Sequence, residues 1–370
     1  MNMMKNKGRN GGLDTIAHKI HSGQRLDRED GLAILEATDL VAVGRLADAV
    51  RRQRHGRRAF FVYNQHLNYT NVCQNKCAFC AFARDEGQAG AFTLGLDEIE
   101  RRLTDRLDEP ITEYHVVGGV NPALPFDYYL DLIRLLKRLR PGAAIKAFTA
   151  VEIDHLGKIS GLGLTGTLAA LKRAGLEMMP GGGAEVFSPR VRRELFPRKI
   201  DHQRWLQVMR AAHQAGLTSN ATMLYGHLET DEERVDHLLM LRGLQDETGG
   251  FSAFIPLGFH PANTRLAARR GPTAADDLKV TALARLLLDN FDHIKAYWVM
   301  LGESLAQVAL SFGADDLDGT IIEEKISHMA GAQSAKGLSR EKLREMIVRA
   351  GFEPVERDAF YRPMDAQEAA

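Results

Sequence analysis

From residue 58 onward, short runs rich in β-branched and aromatic residues alternate with longer charged stretches whose apolar residues recur at helical spacing. No other feature restricts the fold as strongly. Strand-like runs fall at Ala59 to Tyr63, Tyr114 to Val117, Ile145 to Val151, Ala184 to Phe187, Ser219 to Leu224, Phe251 to Leu257 and Ile294 to Leu301. Between them, Phe126 to Leu139, Thr165 to Ala174, Asp201 to Ala215, Thr230 to Thr248 and Ala274 to Asn290 read as amphipathic helices, several closed by glycine. Repeated β-then-α units pair their strands in parallel, and about seven or eight of them in one domain predict an α/β fold, a TIM-like (β/α) barrel, full or nearly closed.

This barrel is expected over residues 58–320. Ahead of it, residues 1–57 open with a polar, Gly-rich dozen expected to be disordered or loosely attached, then a helical lead-in from Asp14 with Asp27 and Thr38 as N-caps. Residues 321–370 are expected to form a cap from a helix over Ser339 to Ala350 and an extended segment over Phe352 to Tyr361.

Charge narrows the partners. Lys plus Arg equals Asp plus Glu at 48 each, so the whole molecule has no excess charge to draw a polyanion or an anionic membrane surface. No run approaches the ~18 apolar residues that span a bilayer, and the opening lacks the apolar core of a signal peptide. The expected setting is the cytoplasm, with small-molecule partners, no nucleic acid and no membrane.

The only three cysteines, Cys73, Cys77 and Cys80, lie together as C-x3-C-x2-C just after the first strand. At a barrel's C-terminal mouth such a group faces the place where active sites form. Three thiolates can hold three irons of a 4Fe–4S cubane and, with no fourth cysteine in the chain, leave the fourth iron to a ligand from elsewhere. A structural zinc ion would want four protein ligands in paired groups, and the nearest histidine, His66, stands seven residues upstream.

With Phe79 directly before the last cysteine, this motif resembles the radical S-adenosylmethionine (SAM) superfamily. The resemblance implies that SAM chelates the open iron and that an electron from the cluster, supplied by a reductant such as flavodoxin or ferredoxin, breaks its S–C5′ bond. It also implies a SAM site built from Phe79, from Gly118 and Gly119 in H-V-V-G-G-V-N-P, from Glu185 in P-G-G-G-A-E-V-F, and from Glu152 at another strand end.

Longer segments, Y-T-N-V-C, C-A-F-C-A-F, P-G-G-G-A-E, Q-D-E-T-G-G-F and F-I-P-L-G-F-H-P-A-N-T, resemble the menaquinone futalosine-pathway group across roughly residues 58 to 330. His260 in F-H-P favours its aminofutalosine synthase branch over the cyclic dehypoxanthinylfutalosine synthases and the deazaflavin-synthase relatives. Asn121 departs from the group, which often has His before that proline. The resemblance implies that the 5′-deoxyadenosyl radical adds to the vinyl carbon of 3-[(1-carboxyvinyl)oxy]benzoate. Two substrate carboxylates then need donors or cations at the mouth. The expected contacts are Arg84, Arg198, Lys199, Asn220, Asn263 and Thr264, with His260 as the catalytic candidate. Arg234 and His237, at i and i+3 of one helix, read as exterior residues.

Overall fold

The computed structural model describes residues 2–364; Met1 and residues 365–370, the extremes of the expected start and cap, lie outside the described residues. The strands are β1 (Arg58–Val62), β2 (Asn64–Leu67), β3 (Glu113–Val116), β4 (Ala144–Ala147), β5 (Met178–Met179), β6 (Thr218–Tyr225), β7 (Phe251–Gly258), β8 (His293–Ile294), β9 (Asp316–Gly319) and β10 (Glu353–Arg357). Strands β2 to β8 form one seven-stranded sheet in sequence order, with each neighbouring pair parallel. That order, with helices between successive strands, is the TIM-like arrangement that the alternation predicts.

The sheet curls until β8 and β2 nearly meet, and residues 315–322 fill the gap. On one side the Asp315 N–H donates to the Ile294 carbonyl at 3.0 Å and the Ala296 N–H to the Asp316 carbonyl at 2.7 Å. On the other, the Thr320 N–H reaches the Val62 carbonyl at 3.1 Å and the His66 N–H reaches the Ile322 carbonyl at 2.9 Å. A second sheet, ordered β10-β1-β9, is thereby joined to the barrel wall. β10 runs parallel to β1 from Arg58↔Glu353 to Val62↔Arg357, so the end of the chain extends this sheet.

Helix starts are set by capping. Asp27 caps Arg28–Glu36 with a reciprocal capping box, and Thr230 and Thr273 do the same for Asp231–Thr248 and Ala274–Leu287. The cap of Leu40–His55 is Asp39 rather than Thr38. The first helix runs Asn2–His21, where the sequence suggests a loose opening dozen. Leu13 and Ile16 are buried, and once they anchor the later turns the helix can extend backward at the low cost of elongation rather than nucleation.

Outside the barrel wall, Ile133, Leu136, Leu168, Val208, Leu238 and Leu283 are fully buried between helices and sheet. Inside, the lower barrel is ionic. Lys146 pairs with Glu113 at 2.6 Å, Lys295 with Asp318 at 3.2 Å, and Arg357 with Asp316 at 2.6 Å. Each buried charge has a partner, as burial requires.

Candidate active site

Above this ionic floor a cavity of about 330 Å³ opens at the C-terminal ends of the strands. Cys73, Cys77, Cys80, Phe79, Gly118, Gly119, Glu152, Glu185, Lys199, Asn220 and His260 all line it.

The cysteine loop follows β2 and is pinned at both ends. The Cys73 N–H donates to the Arg84 carbonyl at 3.1 Å, the Arg84 N–H to the Asn71 carbonyl at 2.8 Å, and the Leu94 N–H to the Tyr69 carbonyl at 2.8 Å. Its middle rests on the segment after β5, where Cys77, Ala78 and Phe79 pack on Val186, Val191, Leu195 and Phe196. The Ala78 N–H donates to the Leu195 carbonyl at 2.7 Å.

Gly118 and Gly119, just past β3, lie against this loop. The Gly119 N–H donates to the Thr70 carbonyl at 2.8 Å, the Gln74 N–H to the Val120 carbonyl at 3.0 Å, and the Val120 N–H approaches Cys73 Sγ at 3.4 Å. A hydrogen bond to a ligand sulfur is one of the protein's means of tuning an iron–sulfur cluster. Burial pushes the Cys77 thiol up to about 12 against the pull of Lys199, and raises Cys80 against backbone N–H donors from Ala83 and Phe82. A metal centre must take the protons' place to hold these sulfurs as thiolates.

The donor set points to a cluster rather than a structural zinc ion: three thiols, with no fourth cysteine in the chain. Among the described residues, the one set of three metal-ligating groups within 4.8 Å of one another is His55, His293 and Asp315, remote from the loop in sequence. The three sulfurs do not all lie within that distance of one another.

Several expected ligands are engaged elsewhere. Glu152 is the N3 residue of the capping box on Ala150–Ile159, and its oxygens accept from Thr149 N–H and Oγ1 at 2.7 Å, Tyr69 Oη at 2.7 Å and Gly118 N–H at 3.1 Å. Burial raises this carboxyl above its ordinary value against those four donors. It thus braces the glycine pair and has little acceptor capacity left for SAM. Glu185, in a left-handed backbone conformation at φ 52°, forms a buried ion pair with Lys199. That pair takes Lys199 away from the expected substrate carboxylate. Lys199 Nζ also lies 5.2 Å over the Phe79 ring.

Arg84 turns back on its own loop, donating to the Ala81 and Ala83 carbonyls at 2.8 Å each. Arg198 is exposed and donates to the Gln74 carbonyl at 3.2 Å. Asn263 is exposed with its amide on the Met329 carbonyl, and Thr264 Oγ1 donates to the Pro261 carbonyl; both shape the turn after His260. None of these four lines the cavity. Asn220 does, accepting from Ser252 Oγ at 3.1 Å, and His260 bonds the Met300 carbonyl through Nε2 at 3.0 Å. The sequence reading passed over Asn68, His115, Asp318 and Glu324 as pocket residues. Asp318 lies in the closing segment and Glu324 just after it, and no local pattern announces that this segment joins the barrel wall.

A parallel barrel with three clustered thiols at its mouth, latched to a glycine pair, defines a class: the chain belongs to the radical SAM superfamily, whose sequence pattern matches residues 67–241. Within it the chain belongs to the futalosine-pathway group, as the CofH/MqnC C-terminal region matching residues 248–370 and the similar proteins together show. It is 49% identical to the aminodeoxyfutalosine synthase of Thermus thermophilus over 95% of both chains. It is 44% identical to that of Streptomyces coelicolor, covering 94% of this chain and 92% of the other. A 5-amino-6-(D-ribitylamino)uracil–L-tyrosine 4-hydroxyphenyl transferase from Methanopyrus kandleri is 38% identical, covering 94% and 95%. Among solved structures, the hydrogenase maturase HydG matches with TM-score 0.76 at 18% identity, covering all of this chain and 84% of that one. Methylornithine synthase (PylB) matches at 0.74 and 18%, covering 96% and 100%. Both share the fold.

The protein is accordingly a radical SAM enzyme whose cofactors are a 4Fe–4S cluster and SAM. The residues fit them: three thiols lining one cavity, a backbone N–H directed at one sulfur, and a glycine pair latched to the thiol loop. No helix among the described residues is long and apolar enough to cross a membrane.

Proposed function

We propose that this enzyme joins the 5′-deoxyadenosyl group of SAM to the vinyl carbon of 3-[(1-carboxyvinyl)oxy]benzoate. With water, the products are 6-amino-6-deoxyfutalosine, methionine and bicarbonate, in menaquinone biosynthesis. The observation that carries this reading is one cavity lined by both the cysteine loop and His260, in a chain 49% and 44% identical to aminodeoxyfutalosine synthases. Addition of one reactant to another requires both in a single enclosure, placed before reaction.

When bound, the cluster, charged by an external reductant such as flavodoxin or ferredoxin, supplies the electron that cleaves the S–C5′ bond. The chain's own part is to bind and orient. Cys73, Cys77 and Cys80 hold the cluster, and Gly118 and Gly119 let backbone approach the methionine end of SAM. Phe79, beneath Lys199, walls the cofactor side, and Glu185, balanced by Lys199, offers its remaining acceptor capacity to ribose hydroxyls. Glu152 acts as a positioning residue through Gly118. Asn220 and His260 face the second substrate, and His260, whose Nε2–H is given to the Met300 carbonyl, keeps Nδ1 to take up a proton late in the reaction and, once protonated, to donate to a carboxylate.

The 4-hydroxyphenyl transferases, at 38% identity over most of the chain, supply the competing substrate set. Anaerobic assays with reductant and SAM should give an adenosyl adduct from the enol ether, and no coupled product from L-tyrosine with 5-amino-6-(D-ribitylamino)uracil. The opposite pattern would reassign the enzyme.

A further inference from the structure

The floor of the cavity contains a pair of side chains to which nothing above gives a task. His66 on β2 and His115 on β3 are register partners, and their rings stack with centroids 4.5 Å apart and planes 7° from parallel. Both line the cavity, and His66 is 6% exposed. His260 spends a ring nitrogen on the Met300 carbonyl, but no ring nitrogen of His66 or His115 has a hydrogen-bond partner among the described residues. Their nitrogens are also absent from the sealed, unpartnered buried atoms, so they open into the cavity. Polar groups in such surroundings ordinarily find a partner, in the protein or in what it binds.

The neighbouring charges are already matched. Glu113 has Lys146, Asp318 has Lys295, and Glu324 has His328 at 3.0 Å. Burial holds His66 below the usual imidazole value although Glu324, Asp318 and Glu113 pull it upward, and burial with His66, Lys146 and Lys295 holds His115 lower still. Each neutral imidazole carries one N–H donor, so the stacked pair offers two, side by side, as a carboxylate's two oxygens require. Two rings stacked face to face are poorly placed to converge on a cation, and neither joins a set of three ligating atoms.

We propose that His66 and His115 form an anion subsite that takes the ring carboxylate of the aromatic substrate. The assignment of that carboxylate rests on the function proposed above. His115 lies three residues before Gly118, on the order of 10 Å along a strand, which suits a meta-substituted benzoate held at the floor with its ether arm toward the cysteine loop. His66 and His115 would thus be specificity-determining residues.

The test uses the cluster-loaded enzyme with SAM and measures binding of 3-methoxybenzoate against neutral 3-methoxybenzamide. Wild type should prefer the benzoate by about tenfold or more. His115→Phe preserves a stacked ring while removing both nitrogens, and should abolish the preference while SAM binding stays unchanged. His66→Asn should weaken it, and His115→Gln, which restores a donor, should recover part of it. The subsite is overturned if wild type shows no preference, or if folded His115→Phe and His66→Asn keep it. A parallel turnover assay with the enol ether separates the two claims. Lost benzoate binding without any wild-type adduct would condemn the proposed reaction and spare the subsite, whereas adduct formation with an unaltered preference in the variants would do the reverse.

Discussion

Gly119 packs against Val72 so tightly that a Cβ on it would lie 2.2 Å from the Val72 carbonyl oxygen and 3.0 Å from the Cβ of Cys73. The glycine pair is therefore required by the packing of the cysteine loop itself, before any ligand is considered. Gly118 is under similar restraint, its added Cβ meeting the Tyr69 ring at 2.6 Å.

Gly119→Ala must push the cysteine loop outward. A displacement of about 1 Å at a reacting centre costs on the order of a hundredfold in rate. SAM cleavage should fall by that order, with iron content reduced and the far-ultraviolet circular dichroism of the barrel retained. Near-normal cleavage would show that the loop has room the geometry denies.

The Glu185–Lys199 pair predicts strong non-additivity. Lys199→Met leaves a buried carboxylate unmatched, at a cost of about 3–5 kcal/mol in chemical denaturation, while the double variant Glu185→Gln/Lys199→Met should regain most of it. Additive losses would mean that the two side chains act independently.

Arg84 stitches the carbonyls of the cysteine loop together. Arg84→Ala should speed the loss of iron to a chelator and leave KM for the enol ether unchanged. A raised KM on a stable cluster would restore Arg84 to the substrate role that sequence reading gave it.

Acid should weaken the loop after β6. Burial would raise the Glu229 carboxyl, but the His227 side chain, Arg234 and the Gly226 N–H outweigh it and hold the group at about 2. A depressed carboxyl stabilises the fold fully above its unfolded value near 4.5 and loses that contribution as pH falls toward 2. On the order of 3 kcal/mol should disappear across that window. Glu229→Gln, measured by denaturation at several pH values, should flatten this part of the profile. An unchanged slope would place the acid sensitivity elsewhere.

Much of the fold was legible because periodicity reports on one face of one element. The helix read over Phe126 to Leu139 matches the structure residue for residue. Short apolar runs were harder, since strand and helix look alike over a few residues. Ile294 to Leu301 reads as one strand, yet sheet pairing ends at Ala296 and Trp298–Leu301 is helical, with Trp298 Nε1 donating to the Gly319 carbonyl at 2.8 Å. The fifth strand is Met178–Met179 rather than Ala184 to Phe187, because the glycine run between them carries the chain across the mouth.

Within the site, the cysteine spacing and its glycine neighbours could be read locally. Which way Arg84, Arg198 and Asn263 turn could not, because each is fixed by a carbonyl whose position depends on the folded chain. His237, assigned to the exterior by its helix spacing, is fully buried, bridging the Phe187 N–H and the Thr222 carbonyl, and burial lowers it to about 3. The His66–His115 stack likewise follows from the β2–β3 register, and β2 is a strand that the sequence pattern did not reveal.

The central claim is that the adenosyl group made at Cys73, Cys77 and Cys80 becomes part of the product. The direct measurement is anaerobic stoichiometry, with enzyme carrying about four irons per chain, reductant, SAM and the enol ether. The account predicts that each methionine released is matched by one adenosyl-containing adduct, with little free 5′-deoxyadenosine. Free 5′-deoxyadenosine equal to the methionine, with no adduct, would contradict it.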